Sequence, residues 1–497
     1  MADLEVLAGS VLCVGVPDAN LSAETRTELA ALGPGAVVLF ARNISTLEET
    51  RTLVARSRDA IGGTAPALVC VDQEGGRVVR LRFADEPMPS MLSLGATGYV
   101  ALAERAGARL ANDLRAVGAN VNFAPVLDLA LEPESTLIGT RSLGADPRTV
   151  AALGVALVAG MQGRSVAATP KHFPGHGATA VDSHVALPVV SADARTLRER
   201  ELVPFAAAFR AGARAVMTAH VVVPAFDPDR PATLSPRILS GLLREELGFR
   251  GVCFTDCLMM DAIARAPGTA QGAVLALGAG ADVAVISHDL ALARSARDAI
   301  VSAVRAGTLP LERLEEAADR VARLRAWAAP AAEAIEPIDD DLARETARLA
   351  IAVLRGRAHV DPARPVTIVS FEGVAADGIA GGDAKRPSLS LALRRRRVKS
   401  ELLRVALEPD AAMLETLLEV ARAQSGRQFL VIARRAYRHA AQRQAIDGLL
   451  AVAPDAIVVS GLEPFDVASL DRAHTLVCTY GDEPANMEAL ADALTGG

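Results

Sequence analysis

The sequence predicts an α/β protein, with a (β/α)8 TIM-type barrel followed by a smaller α/β sandwich domain. Through roughly the first 330 residues, eight short apolar runs alternate with longer helical patterns. Eight β/α units of this size, over about 250 residues or somewhat more, are typical of such a barrel. Several of the runs are apolar almost throughout, as expected for strands that are buried on both faces.

Each unit begins with its predicted strand. The strands are Ser10–Val16, Ala36–Phe40, Ala67–Val71, Asn122–Pro125, Val166–Lys171, Ala215–Ala219, Val252–Asp256 and Asp282–Ser287. The helical patterns between them are Ala23–Leu32, Leu47–Ile61, Ala101–Val117, Thr149–Gly163, Ala194–Ala211, Pro236–Leu247, Thr269–Ala279 and Leu290–Ala306. Active sites of such barrels lie at the C-terminal ends of the strands, so polar residues that follow the apolar runs are expected to converge there.

The second domain follows a helix over Leu311–Trp327. The run from Ala328 to Asp340 contains two prolines and a cluster of acids, which indicates a linker. Beyond it the sequence predicts a helix over Leu342–Leu354 and strands at Val366–Phe371, Val398–Leu402, Phe429–Ala433, Ala456–Ser460 and Thr475–Thr479. The predicted domains are therefore a barrel over residues 1–327, a linker over 328–340 and a sandwich over 341–497.

Composition limits the partners and the compartment. The net charge of −7 argues against nucleic acid or an anionic membrane as the main partner. No apolar stretch is long enough to span a membrane, and no basic segment precedes the first apolar run as in a signal peptide. The five cysteines are odd in number and scattered, so a reducing compartment, the cytoplasm, is expected.

The stretch from Lys171 to His184, KHFPGHGATAVDSH, holds three of the eight histidines. Within it, Asp182 and His184 are two residues apart and can hydrogen-bond. A carboxylate that orients an imidazole makes it a general acid/base. The alternative is that the pair only caps a turn. The Gly and Pro residues between Lys171 and Asp182 suggest a mobile flap that brings His184 over the site when substrate binds.

Other candidate residues follow predicted strands. Asp256 ends the run VCFTD and suits a nucleophile, a metal ligand or a helix N-cap. In VDQEGGRVVRL, the charged side chains crowd around a Gly pair, an arrangement that suits a multiply hydroxylated ligand: Asp72, Glu74, Arg77 and Arg80. Arg141, Lys171 and His172 add cationic donors, although Arg141 also fits a structural ion pair.

Two other enzyme classes remain open on these residues. A metal-dependent barrel hydrolase commonly has a His-x-His pair at a strand end, and none occurs here. His172 and His176 are spaced as H-x3-H, but in a Gly/Pro loop rather than on a helix. A Schiff-base aldolase would use Lys171, yet it has no need of the nearby Asp182 and His184.

Taken together, these stretches resemble glycoside hydrolase family 3, in particular its two-domain β-N-acetylglucosaminidase branch acting on cell-wall fragments. The motifs that carry the resemblance occur in family order over about 300 residues: VVLFARNI, VDQEGGRVVR, NFAPVLDL, IGTRSLGADP, KHFPGHGATAVDSH, MTAHVVVP and GFRGVCFTDCLMMDA. The element KHFPGHG…DSH is specific to this branch. Two features depart from the pattern, namely Cys257 after the expected nucleophile and Ala178 at a commonly polar position.

The resemblance implies a retaining exo-β-N-acetylglucosaminidase in peptidoglycan turnover, with Asp256 as nucleophile and His184, oriented by Asp182, as general acid/base. It implies that five residues bind the terminal N-acetylglucosamine: Asp72, Arg80, Arg141, Lys171 and His172. The implied partner is a small carbohydrate, without metal or organic cofactor. Because a neutral imidazole repels phosphate less than a carboxylate does, phosphorolysis stays an alternative. A non-catalytic sugar-binding barrel is another, and the sequence determines no oligomeric state.

Overall fold

Eight parallel strands form the ring that the sequence predicts. The structure, a computed structural model, describes residues 4–63, 65–83, 86–135, 137–179, 187–335, 341–373 and 389–496. The strands are β1 (Leu12–Gly15), β2 (Ala36–Leu39), β3 (Leu68–Val71), β4 (Val121–Asn122), β5 (Ala167–Ala168), β6 (Ala215–Met217), β7 (Val252–Cys257) and β8 (Val283–Ile286). All eight overlap their predicted ranges, so the predicted barrel is confirmed.

The strands follow one another around the ring in chain order, and β8 pairs with β1. Between β5 and β6 the ring closes just beyond the end of β5. There the Phe173 N–H donates to the Met217 carbonyl (2.8 Å) and the Ala219 N–H donates to the Phe173 carbonyl (2.7 Å). The chain that leaves β5 is thus fixed to the next strand at the mouth of the barrel.

Alternate residues along the strands separate two parts of the core. Cys13, Val38 and Cys70 pack with their counterparts from the other strands inside the ring, where helix Leu311–Ala328 closes the base. Their neighbours along the strands pack outward against the helices. The single tryptophan, Trp327, lies at this base beneath the Arg214 guanidinium.

The barrel helices largely match the predicted ones. They are Leu4–Ser10, Ala23–Leu32, Leu47–Ile61, Met91–Thr97, Val100–Ala116, Pro147–Gln162, Ala194–Glu199, Leu202–Arg210, Arg237–Glu246, Asp261–Ala264, Thr269–Ala279, Leu290–Arg305 and Leu311–Ala328. Helix Arg237–Glu246 is of the π type, and the Leu247 N–H after it donates to the Leu242 carbonyl. The single helix predicted over Ala194–Ala211 is wrong: Pro204 lacks the N–H that would continue it, so the chain breaks and restarts at Leu202.

The second domain is a parallel sheet with one antiparallel edge. Its strands are β9 (Ala352–Arg355), β10 (Val366–Glu372), β11 (Ser400–Ala406), β12 (Gln428–Ala433), β13 (Ile457–Ser460) and β14 (Thr475–Cys478), in the order β9–β14–β13–β12–β10–β11. Helices Leu342–Ala350, Leu389–Arg395, Ala411–Ala423, Ala440–Val452 and Pro484–Thr495 belong to this domain. Separate apolar clusters cover the two faces of the sheet, which makes the domain a sandwich as predicted.

Two predictions for this domain need correction. The helix predicted over Leu342–Leu354 ends at Ala350, since the chain turns extended at Ile351 and forms β9 against β14. The strand predicted at Val398–Leu402 runs instead over Ser400–Ala406. Near the predicted linker, helix Leu311–Ala328 is followed by a 3₁₀ turn at Ala329–Ala332, and residues 336–340 lie outside the described ranges. The predicted domain boundaries stay predictions.

Among the residues that the structure describes, every helix is too short or too polar to cross a lipid bilayer.

Candidate active site

A cavity of about 370 Å³ opens at the C-terminal ends of the barrel strands. Six of the eight predicted site residues line it: Asp72, Arg80, Arg141, Lys171, His172 and Asp256. The other two, Asp182 and His184, lie in the stretch 180–186, outside the described residues, and so does most of the predicted flap. The structure therefore brings the predicted sugar-binding residues and the predicted nucleophile to one cavity.

Four charged side chains form an ion cluster on one wall. Lys171 Nζ lies 2.6 Å from Asp72 Oδ1 and 2.6 Å from Glu74 Oε1. Arg141 binds Glu74 through both oxygens, with Nε–Oε2 and Nη2–Oε1 distances of 2.8 Å. Asp72 and Glu74 follow β3, Arg141 follows β4 and Lys171 follows β5, so three neighbouring strands build this wall. Arg141, which the sequence left open, does pair with an acid.

The electrostatics of this cluster favour the charged forms of Glu74, Arg141 and Lys171. Burial alone would raise the pKa of the Glu74 carboxyl, but Arg141 and Lys171 hold that pKa far below its usual range. Burial would lower the pKa of Lys171, but the carboxylates of Asp72 and Glu74 raise it. The wall therefore presents fixed donors and acceptors, which suits ligand hydroxyls that both donate and accept.

Asp128, behind this wall, fixes the two histidines that follow Lys171. Its Oδ2 accepts hydrogen bonds from the His172 backbone N–H (3.0 Å) and from His172 Nδ1 (2.6 Å). Its Oδ1 accepts from the His176 backbone N–H (2.6 Å). His176 Nδ1 lies 2.7 Å from Thr179 Oγ1, and burial lowers the pKa of His176 to about 4. Both histidines line the cavity; His172 is held there by Asp128, and His176 is a neutral ring held by Thr179.

Asp256 stands near the end of β7, half-buried, on another part of the ring from the ion cluster. Its backbone N–H lies 3.4 Å from Thr218 Oγ1, and its Oδ1 accepts from the Cys257 backbone N–H at 2.7 Å. These contacts anchor a carboxylate that lines the cavity. A ligand held by the charged wall can thus present one of its atoms to the Asp256 carboxylate.

Arg80 is positioned by a short hairpin of Gln73–Gly75 and Val78–Val79. Gly75 and Gly76, at its turn, have φ of +99° and +59°. A Cβ at Gly75 would approach the Pro89 carbonyl at 2.8 Å, and one at Gly76 would approach Ser90 Cα at 2.7 Å, so both positions need glycine. The Gly pair thus takes a backbone path that other residues rarely adopt.

On another wall, Cys257, Ser287 and His288 line the cavity, and Arg42 contacts the last two of them. Arg42 Nη2 donates to the Ser287 carbonyl (2.7 Å), and Nη1 lies 2.8 Å from His288 Nδ1. Burial and the Arg42 charge lower the pKa of His288. The Cys257 thiol lies 2.9 Å from Ser287 Oγ, and burial raises its pKa. This wall is less charged than the one around Lys171.

The remaining strand-end histidine, His220, bonds Thr233 Oγ1 (2.8 Å) through Nδ1 and lies 3.0 Å from the Cys257 carbonyl through Nε2. Both ring nitrogens thus have protein partners. Within the described ranges, no group of three or more His, Cys, Asp or Glu side chains is arranged to hold a metal ion.

The motif resemblance assigns no role to two residues that the structure places at the site. Glu74 proves to be the centre of the ion cluster, and Asp128 the anchor of His172. Both follow apolar strands, which is the signal that placed them near the site. Their partners depend on which strands are neighbours in the ring.

Comparisons with known proteins agree with this geometry. A family model for the glycosyl hydrolase family 3 N-terminal domain matches residues 4–324. A β-hexosaminidase from Stenotrophomonas maltophilia (strain K279a) is 41% identical over 284 residues, which are 56% of this chain and 83% of that protein.

Solved structures extend the likeness to both domains. A glycoside hydrolase family 3 β-N-acetylglucosaminidase from Paenibacillus sp. str. FPU-7 is 34% identical, with a TM-score of 0.93 over 100% of this chain and 97% of that one. A β-N-acetylhexosaminidase from Beutenbergia cavernae DSM 12333 is 33% identical and covers 66% of this chain and 99% of its own, with a TM-score of 0.61.

Proposed function

Because the chain belongs to glycosyl hydrolase family 3, we propose that it is a β-N-acetylglucosaminidase that hydrolytically removes terminal β-linked N-acetylglucosamine. The names of its relatives, β-hexosaminidase and β-N-acetylglucosaminidase, support this activity. The observation that carries the proposal is the meeting of the Lys171 ion cluster and the Asp256 carboxylate in one cavity. One wall suits a polyhydroxylated ring, and Asp256 suits attack on its anomeric carbon.

In the proposed reaction, Asp256 Oδ forms a bond to the anomeric carbon while the glycosidic C–O bond breaks. His184, oriented by Asp182, gives its proton to the leaving oxygen. Water then gives its proton to His184 and displaces Asp256, which releases the sugar with retained configuration. The negative charge of Asp256 also favours the positively charged sugar of the transition state. The roles of these three residues rest on the motif resemblance.

The charged wall contributes by orientation. Lys171 and Arg141 can donate to sugar hydroxyls, and Asp72 can accept from them. Since these side chains already hold one another in place, they need little rearrangement to fix the ring for attack. Arg80 and His172 line the same cavity and are proposed to bind the sugar as well.

Product analysis tests the activity. The chain is incubated with an aryl β-N-acetylglucosaminide, with chitobiose and with N-acetylglucosaminyl-anhydromuramyl substrate, each with and without phosphate. We expect free N-acetylglucosamine under both conditions. Sugar 1-phosphate in phosphate buffer would instead identify a phosphorylase, and no turnover of any substrate would contradict the proposal.

Variants test the residue roles. Asp256→Ala and His184→Ala should each lower kcat by at least about a thousandfold while the fold is kept, because each removes a group that acts in bond breaking. Azide should rescue Asp256→Ala and give the α-linked glycosyl azide, since it enters from the side the carboxylate has left. Asp298→Ala, an exposed residue paired with Arg297, is the control. Full activity of the Asp256 variant would overturn its role.

We further propose that the natural substrates are peptidoglycan fragments and that the protein acts in the cytoplasm. The resemblance to the cell-wall branch supports the first point. The five cysteines, none in a disulfide, are consistent with the second. We expect kcat/KM to be greater for the anhydromuramyl substrate than for chitobiose. We also expect to recover the native protein in the cytoplasmic fraction.

A further inference from the structure

The sheet of the second domain turns the C-terminal edge of its parallel strands towards the barrel mouth. The loops after β12, β13 and β14 all contact barrel residues. Tyr437 Oη donates to the Pro133 carbonyl at 2.6 Å, Glu463 packs against Gly139, and the Tyr480 carbonyl accepts from Ser90 Oγ at 2.5 Å. In open α/β sheets this edge is where ligands bind. Here active-site loops of the barrel take that place.

One barrel loop is held at both ends. At its start, Tyr437 binds Pro133, and Arg438 Nε lies 3.1 Å from Glu134 Oε2. At its end, Glu463 approaches Gly139 so closely that a Cβ there would lie 2.2 Å from Glu463 Oε1. With φ of +46°, Gly139 also has a backbone conformation that other residues rarely adopt.

Glu463 is itself fixed by Arg435. The Nε–Oε2 distance is 3.1 Å and the Nη2–Oε1 distance is 2.9 Å, so the pair is bidentate. Glu463 is only 2% exposed. A buried two-point ion pair leaves a side chain little freedom. The surface against which Gly139 rests is therefore rigid.

The loop leads directly to the sugar cavity. Leu137, two residues before Gly139, lines the cavity, and Arg141, two residues after it, belongs to the ion cluster. The Leu137 carbonyl accepts from Arg141 Nη1 (3.0 Å) and from Arg77 Nη2 (2.6 Å). A displacement of Gly139 would therefore move both the cavity wall and the guanidinium that binds Glu74.

We propose that the Arg435–Glu463 ion pair of the second domain is a positioning element for substrate binding, because it holds Gly139 and thereby places Arg141 at the sugar cavity. The inference rests on the proposed glycosidase function and assigns the second domain a part in it. Neither Arg435 nor Glu463 lines the cavity, so their effect passes through the loop. A change in the pair should weaken sugar binding more than the chemical step at Asp256.

The test measures kinetics on the aryl β-N-acetylglucosaminide and the Kd of N-acetylglucosamine in the full chain. For Glu463→Gln we expect KM and Kd to rise roughly tenfold, with kcat within about twofold of wild type. Tyr437→Phe, which removes the bond to Pro133 at the other end of the loop, should shift both constants in the same direction by a smaller factor. Glu401→Gln is the matched control, since its pair with Arg427 lies at the opposite edge of the same sheet.

A double-mutant cycle isolates the contact. Gly139→Ala should raise KM in the wild-type background, because the methyl meets Glu463. In Glu463→Ala the space is open, so the same change should raise KM by a clearly smaller factor. Trp327 fluorescence, which reports on the barrel base, should show a folded barrel in the absence of urea for both Glu463→Gln and Tyr437→Phe, although loss of the buried pair should lower the urea midpoint of Glu463→Gln.

Strictly additive effects, or wild-type KM and Kd in both Glu463→Gln and Tyr437→Phe, would overturn the proposal. A decrease in kcat alone, with unchanged KM and Kd in these variants, would also overturn it. These results are distinct from failure of the proposed function, which would show as a wild-type chain that releases no N-acetylglucosamine.

Discussion

Removing the Glu74 charge is the most direct test of the ion cluster. Asp72 and Glu74 carry two negative charges and Lys171 and Arg141 two positive ones, so the cluster is neutral. Glu74 takes part in two of its three ion pairs and is 1% exposed. Glu74→Gln would leave one excess positive charge buried, with no acid of this cluster in direct contact with Arg141.

The expected cost follows from these contacts. Removing one partner of a buried pair typically costs about 3–5 kcal/mol. The amide oxygen of Gln can still accept one hydrogen bond, and Lys171 keeps Asp72, which puts the expected cost near the lower end, about 3 kcal/mol. If the free energy of unfolding depends on urea concentration with a slope near the upper end of the usual range, this cost lowers the urea midpoint of unfolding by roughly 1 M.

Urea unfolding followed by fluorescence of Trp327, the single tryptophan, measures this cost at the base of the barrel. Glu246→Gln, which breaks an exposed pair with Arg198, should cost no more than about 1 kcal/mol. A Glu74→Gln midpoint equal to that of the control, with unchanged KM, would refute the view that the cluster is a mutually dependent unit.

Three further predictions concern other groups. Burial raises the pKa of Cys257, so its alkylation by iodoacetamide should be slow at pH 7 and faster above pH 9. Bound N-acetylglucosamine should slow the reaction at the higher pH. Peptide mass spectra measure the labelling, and fast labelling at pH 7 that does not depend on the sugar would contradict this prediction. Burial raises the pKa of Asp466 to about 6, above its unfolded value, so this carboxyl destabilises the native state above pH 6 and ceases to do so as pH falls towards 4. Asp466→Asn should therefore raise the calorimetric Tm at pH 8 more than at pH 4.5, and an equal change at both would be the contrary result. Incubation with a chelator should leave turnover of the aryl glycoside unchanged, whereas loss of activity restored by a divalent metal would favour the metallohydrolase alternative.

The barrel could be predicted because its information is local. Each strand is a short apolar run and each helix a periodic one, so eight repeats identify the ring before any contact is known. The break near Leu202 also had a local signal in Pro204, which the helical pattern obscured. Strand β9 had no such local signal, since it exists only through pairing with β14, more than a hundred residues away.

The site was predictable to a different extent. Strand ends located Asp72, Lys171 and Asp256, and the motif resemblance gave them roles. That Glu74 would join Lys171 to Arg141 depends on the adjacency of β3, β4 and β5, which spacing along the chain does not contain. The contact between Glu463 and Gly139 could be predicted even less from the local sequence, because it joins two domains.

The bond between Asp128 and His172 fixes which nitrogen of the His172 ring is left for a sugar hydroxyl in the proposed complex. The Asp128 carboxylate only accepts, so His172 Nδ1 must carry a proton, and Nε2 is the ring nitrogen left for a ligand. The ammonium group of Lys171, the preceding residue, can only donate hydrogen bonds. In the proposed complex, a hydroxyl lying between them would accept from the ammonium, and it would donate to Nε2 when the ring is neutral. A deoxy or O-methyl sugar at that position would lose the donor, and a fluoro sugar would keep only the acceptor.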